Sequence, residues 1–311
     1  MKAISVCAMF AILSLWMPLG TLHASSGALF ALSKLTDGVY VHYGQHAGLD
    51  HDAREDSANL GVVVGQRCIA VIDTGGSVKT GAAFRKVIEA QFMLPVCFVI
   101  NTHVHFDHVL GNAAFQQPGV TFTGHQALAE EMAGNRDFFA ESFAAELGGP
   151  GQQALVIGPE RMIEAETELD LGGRRLRLRA HEPAHSSTDL TVEDLKTRVL
   201  FAGDLLFRER LPVLDGSLIA WLEWMESTMA KPFSIVIPGH GPADSDWPEG
   251  AYPQYQYLSA LLTETRQAIA DGLFLDDAGT VVAKSELSGW QLTERAHRVN
   301  VSRAYRALEW E

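Results

Sequence analysis

The sequence predicts one α/β domain built from two sheet layers with helices outside them. Three observations carry this: strand-like runs precede helical stretches in each half of the chain, one of those runs is apolar throughout, and the helical stretches bear apolar stripes. The 311 residues suffice for one large domain, and 47% hydrophobic with 20% charged residues is globular composition rather than disorder.

The elements follow in order. Gly38–Tyr43, Leu60–Val64 and Cys68–Ile72 read as strands, with Gly65-Gln66 as the turn between the last two. Ser77 to Met93 reads as a helix with Val78, Ala82, Phe84, Val87, Ile88 and Phe92 largely on one face, stopped by Pro95. Val96–Ile100 is the continuously apolar run of a buried strand. A helical section spans Gln126–Leu147 and breaks at Gly148-Gly149-Pro150-Gly151. Strand-like runs return at Arg174–Ala180, Leu190–Glu193, Val199–Ala202 and Ser234–Ile237. Between the last two, Leu218, Trp221, Leu222, Met225 and Met229 repeat at helical spacing, as core packing requires. Helices over Gln254–Ala270 and Leu292–Leu308 close the chain.

The formal charge of −14 argues against nucleic acid or an anionic membrane surface, since both call for clustered positive charge. Lys2 is the only charge before Lys34, and Ala3–Leu19 is apolar apart from two serines. That is the n-region and h-region of a signal peptide over residues 1–24, with small residues after it for cleavage. The run is short of the ~20 residues that span a bilayer, so no stable membrane insertion is expected after cleavage, and the address is periplasmic or secreted. The remaining 30–311 form the folded domain. Cys68 and Cys97 each sit in an apolar run and read as buried free thiols in preference to a pair.

Five of the 12 histidines stand where packing does not explain them. Asn101-Thr102-His103-Val104-His105-Phe106-Asp107-His108 directly follows the buried strand ending at Ile100. Four potential ligands in six residues are costly as core, because each needs its own hydrogen-bond partner, whereas imidazole and carboxylate suit zinc. His185, Asp204 and His240 each follow a later strand-like run, which repeats the same placement. His125 reads as a helix-entry residue, and His181 and His297 as ordinary hydrogen-bonded or surface histidines.

His-x-His-x-Asp-His, a lone His, Gly-Asp and Pro-Gly-His-Gly, in that order, resemble the metallo-β-lactamase superfamily of binuclear metal hydrolases. The resemblance implies an αββα four-layer sandwich in a single domain. It implies two Zn²⁺, with His103, His105 and His185 on one, Asp107, His108 and His240 on the other, and Asp204 bridging. Asp107 and Asp204 double as the catalytic candidates, Asp73 matches a supporting acidic position, and His46 is the candidate for substrate contact. Within the superfamily, Tyr43–His46, Gly111–Phe115, Asp204–Phe207, Leu214–Leu218 and Arg298–Tyr305 resemble the exported quinoprotein relay system zinc metallohydrolases of type 2. That implies a periplasmic dehydrogenase as partner, alongside a small-molecule substrate.

The expected chemistry is hydrolysis of a carbonyl (thioester, lactone or related ester) by zinc-bound hydroxide, since zinc brings the pKa of bound water down to about 7. β-Lactam hydrolysis is the alternative within the class. A non-catalytic metal-binding accessory of a dehydrogenase is the alternative outside it.

Overall fold

The computed structural model describes residues 30–311, so the expected signal peptide lies outside the described residues. The first sheet orders β1 (Ser33–Thr36), β2 (Val39–His42), β3 (Leu60–Val64), β4 (Ile69–Ile72), β5 (Val96–Ile100), β6 (Thr121–His125) and β7 (Arg161–Ile163) as in the chain. Its pairing is antiparallel from β1 to β4 and parallel from β4 to β7. The second sheet orders β12 (Ile235–His240), β11 (Val199–Phe207), β10 (Leu190–Asp194), β9 (Arg175–Ala180) and β8 (Glu166–Asp170). Only β11 and β12 run parallel there.

Side chains alternate across each strand, and this builds the layers. From β4, Ala70 and Ile72 face the second sheet, meeting Leu176, Leu178, Val192 and Phe201. Ile69 and Val71 face Phe84 and Ile88 of α1 (Val78–Gln91). The outer face of the second sheet is covered by α5 (Leu218–Met229), α6 (Tyr252–Ala270) and α8 (Thr293–Leu308) around Trp221, Tyr257 and Val301. Ser77 caps α1 and Ser217 caps α5, each accepting a backbone N–H of the first turn. The result is helix, sheet, sheet, helix. Between α1 and α5 lie the short α2 (Phe106–Val109), α3 (Gln126–Gly134) and α4 (Arg136–Ser142), and α7 (Leu275–Val281) precedes α8.

Four local expectations change. The helical section Gln126–Leu147 is two helices, α3 and α4, with the break at Asn135. Strands β1, β6, β7 and β8 add to those read from the sequence. The run Val199–Ala202 continues to Phe207, so Asp204 lies inside β11, where the ladder with β12 is irregular. Cys68 and Cys97 are paired, not free: adjacent parallel strands β4 and β5 bring their Cα atoms to 5.7 Å. Among the described residues no helix is long and apolar enough to cross a membrane.

Candidate metal centre

Strand β5 delivers the chain to Asn101 at the rim of the first sheet. There a reciprocal amide pair with Asn112 fixes the turn: Asn112 Nδ2 donates to Asn101 Oδ1 at 2.7 Å and Asn101 Nδ2 to Asn112 Oδ1 at 3.1 Å. The N–H of Thr74 donates to the carbonyl of His108 at 2.9 Å, which ties the first turn of α2 to the end of β4. His103 and His105 therefore stand in the loop, while Asp107 and His108 stand in that turn.

The second sheet supplies the rest. Gly203 has φ +54° inside β11, and a Cβ there would lie 2.7 Å from Thr102 Cβ, so the close approach of the two sheets needs glycine. Gly239 stands beside the Asp204 carboxylate, where a Cβ would meet Oδ1 at 1.8 Å. His185 comes from the loop between β9 and β10, and His240 ends β12.

The structure brings all seven residues together in two adjoining groups. One holds His103, His105, His185 and Asp204, and the other Asp107, His108 and His240, with the donor atoms of each group within 4.8 Å of one another. Nε2 of His103 and Nε2 of His185 each lie 3.0 Å from Nδ1 of His105. Asp204 Oδ2 is 3.6 Å from His103 Nε2, 3.4 Å from His185 Nε2 and 3.3 Å from His240 Nε2. Its Oδ1 is 3.2 Å from His108 Nε2, so this carboxylate faces both groups.

The opposite nitrogen of every imidazole is engaged outward, which assigns the tautomers. His103 Nδ1 meets Thr102 Oγ1 at 3.0 Å, His105 Nε2 meets Asp215 Oδ2 at 2.9 Å, and His185 Nδ1 donates to Val213 O at 2.8 Å. His108 Nδ1 donates to Asp73 Oδ2 at 2.7 Å, and His240 Nδ1 lies 2.7 Å from Ser57 O and 3.0 Å from Arg210 Nη1. Ser57 Oγ donates to Asp107 Oδ2 at 2.7 Å. In the three-histidine group, lone pairs are thus left pointing at one another. One proton on His105 Nδ1 can serve only one of its two 3.0 Å neighbours. His108 Nε2 and Asp204 Oδ1 are buried without a hydrogen-bond partner. Four donors about 2.1 Å from one zinc would stand about 3.4 Å apart, the spacing found here. The residues fit a pair of metal ions.

Electrostatics agree. Burial alone would push the Asp204 carboxyl up, but His240, His108 and His103 hold it well below the usual range. Burial works against charge on His108 too, yet Asp204, Asp73 and Asp107 raise it well above an ordinary imidazole. Burial brings His185 down to about 3, so its lone pair is available.

The other sequence candidates sort as follows. Asp73 accepts from Thr102 N at 2.8 Å and from Thr102 Oγ1 at 2.7 Å as well as from His108, beneath the first group and beside the second. His46 is 3.1 Å from Glu209 Oε2, and its hydrogen-bond partner is that residue rather than any of the seven. His125 caps α3 by accepting from Ala127 N, His181 pairs with Thr191 Oγ1, and the buried His297 pairs with Tyr257 OH. Ser57, Thr102, Val213 and Asp215 were not singled out from the sequence as supporting residues. Only the likeness over Leu214–Leu218 touched one of them.

A model of the metallo-β-lactamase superfamily matches residues 53–240, more than half of the chain. Acyl-coenzyme A thioesterase MBLAC2 of Homo sapiens is 28% identical over 186 residues, covering 54% of this chain and 62% of that protein. The Bos taurus protein of the same name is 28% identical over 185 residues with the same coverage. The chain thus matches less than two thirds of the length of these relatives. Among solved structures, a metallo-β-lactamase from Pontibacter korlensis superposes with TM-score 0.60 at 19% identity, over 74% of this chain and 98% of that one. The sec-alkylsulfatase Pisa1 from Pseudomonas sp. superposes with TM-score 0.65 at 16% identity, over 89% of this chain and 50% of that one. Both likenesses concern the fold.

Proposed function

The chain belongs to the metallo-β-lactamase superfamily, and from that premise we propose that it is a binuclear zinc hydrolase of thioesters or related ester-like carbonyl compounds. One observation carries the reading. Seven donors converge from two sheets with every imidazole's far nitrogen already engaged, so the inward nitrogens and carboxylate oxygens share a centre that a cation would satisfy together. Five imidazoles and two carboxylates are the donor set that zinc takes. Bound ions would supply an activated water and polarise the carbonyl oxygen. The chain's own part is to hold that donor set rigid. Asp204 faces both groups, Thr102 and Asp73 brace the floor, and Ser57 holds Asp107 and His240 from the side. The thioester emphasis is supported by the relatives named as thioesterases and by an aspartate at the shared position.

The proposal extends to an exported protein serving a quinoprotein dehydrogenase. Support for export comes from the apolar N-terminal run and from the Cys68–Cys97 pair, which persists in oxidising compartments. Support for the dehydrogenase is the sequence resemblance alone.

The test is turnover of acyl-CoA, lactone and β-lactam panels by zinc-loaded protein, with and without chelator, alongside His105→Ala and Asp204→Ala. Chelator-sensitive thioester or lactone cleavage that both variants lose is the expected result. β-Lactam cleavage alone would move the substrate class. Turnover of nothing in the panels would replace the enzyme with a metal-binding accessory.

A further inference from the structure

The two groups of donors are braced from different parts of the chain. The outward atoms of the second group rest on Asp73 at the end of β4, on Ser57 before β3 and on Arg210, whose Nη1 lies 3.0 Å from His240 Nδ1, all within the residues matched by the family model. In the three-histidine group, two imidazoles rest on one short segment, Pro212–Asp215. Val213 O takes His185 Nδ1 at 2.8 Å and Asp215 Oδ2 takes His105 Nε2 at 2.9 Å. The N–H of Asp215 also donates to His185 O at 2.9 Å.

That segment is held by α8, beyond the family match. Asn300 Oδ1 accepts from Leu214 N at 2.8 Å, and Asn300 Nδ2 donates to Pro212 O at 2.7 Å. Arg303 pairs with Asp215 Oδ1 at 2.6 Å and donates to the Leu214 carbonyl. Helix α8 is itself fixed. Val301, Ala304 and Leu308 are buried in the core, and Asn300, fully buried, also donates to Tyr257 OH of α6 at 2.9 Å.

His105 is the donor most in need of such a brace. Its side chain is 27% exposed, whereas those of the other six are at most 7% exposed and are set by packing. The Asp215–Arg303 pair is too exposed (36% and 45%) to contribute much to stability, but it fixes which way the carboxylate faces His105.

We propose that α8, through Asn300, Arg303 and the Pro212–Asp215 segment, is a positioning device for the three-histidine site, so that zinc affinity there depends on the C-terminal helix and affinity at the other site does not. Asp215 and Arg303 are positioning residues, and the inference rests on the metal reading of the two groups.

The experiment measures zinc affinity by chelator competition in two backgrounds. His240→Ala cripples the second site and His185→Ala cripples the first, so each background reports on the equivalent that remains. Arg303→Met and Asp215→Asn are expected to weaken the equivalent left in His240→Ala about 10–100-fold, the usual effect of losing an outer partner of a ligand. Neither should change the equivalent left in His185→Ala, and Arg303→Lys should restore most of the loss. Co²⁺ absorption of the His240→Ala background should shift with Asp215→Asn, and circular dichroism should show the fold unchanged. Equal weakening in both backgrounds, or none in His240→Ala, overturns the proposal. Failure of the unsubstituted protein to bind two zinc equivalents overturns the metal reading instead, and the proposal with it.

Discussion

Asp73→Asn isolates what one carboxylate does beneath the metal centre. Asp73 sits at φ +57°, a left-handed conformation that Asn tolerates as well as Asp, so the backbone has no reason to move. Its Oδ1 accepts from Thr102 N at 2.8 Å, while Oδ2 accepts from Thr102 Oγ1 and His108 Nδ1, both at 2.7 Å. With Oδ1 retained, the amide places an NH₂ where Oδ2 was, and two donors then face a donor. The Thr102 hydroxyl can rotate away; the imidazole cannot. His108 must move its proton to Nε2, the nitrogen aimed at Asp204, and so loses the lone pair a metal would use. Losing such an outer partner costs about 10–100-fold in metal affinity, or about 1.4–2.7 kcal/mol. Chelator-competition titration should therefore show one zinc equivalent weakened by that factor, with thermal stability of the metal-free protein little changed. Two equivalents bound at the unsubstituted affinity would refute the tautomer argument.

The remaining predictions rest on other parts of the chain. Gly239→Ala places a Cβ 1.8 Å from Asp204 Oδ1, so the carboxylate must leave the position from which it faces both groups. Both zinc equivalents should be lost by elemental analysis, and retention of either contradicts the placement. Reducing the Cys68–Cys97 bridge, which closes a separation of 29 residues, should lower unfolding free energy by about 3–4 kcal/mol in urea; a loss under about 1 kcal/mol would count against the pairing. His181 is half-buried and brought down to about 3 by desolvation and by the nearby Arg179 and Lys231, so on acidification the unfolded chain takes up its proton near 6.5 and the native state does not. Its contribution to stability therefore falls by up to about 1.4 kcal/mol per pH unit from 6.5 toward 3, and His181→Gln should flatten that part of the urea profile. Asp204, Asp73 and Asp107 raise His108 well above an ordinary imidazole in the metal-free protein, which favours a proton on the nitrogen that faces Asp204. Metal uptake must expel that proton, so affinity should rise with pH, and calorimetry in buffers of different ionisation enthalpy should register proton release. Titrations identical in every buffer would refute this.

What could be read from the sequence was local. His103, His105, Asp107 and His108 fall within six residues, so their shared purpose is visible without knowing the fold. Strands such as Val96–Ile100 declare themselves because both faces are half-buried or buried and every residue is apolar. β8 hides because Glu166, Thr167 and Glu168 leave Leu169 as its only buried residue, and its outer carboxylates pair with Arg175, Arg177 and Arg179 across the strand. The cysteine pair hides for a topological reason. Parallel neighbours are separated by a crossover helix, here α1, so contact across β4 and β5 is not a short-range pattern.

The supporting residues hide for a chemical reason. Ser57 acts on His240 through its carbonyl and on Asp107 through its hydroxyl, and Val213 acts on His185 through its carbonyl alone. A carbonyl belongs to every residue type, so no letter of the sequence marks it. Asp215 is the exception that shows where the boundary lies. A carboxylate is marked by its letter, yet its partners His105 and Arg303 lie 110 positions before it and 88 after it. Only the fold of α8 onto the Pro212–Asp215 segment makes those three one unit. The donors of this centre are therefore written in the motifs, while the orientation of its most exposed donor is written in the packing of the last helix.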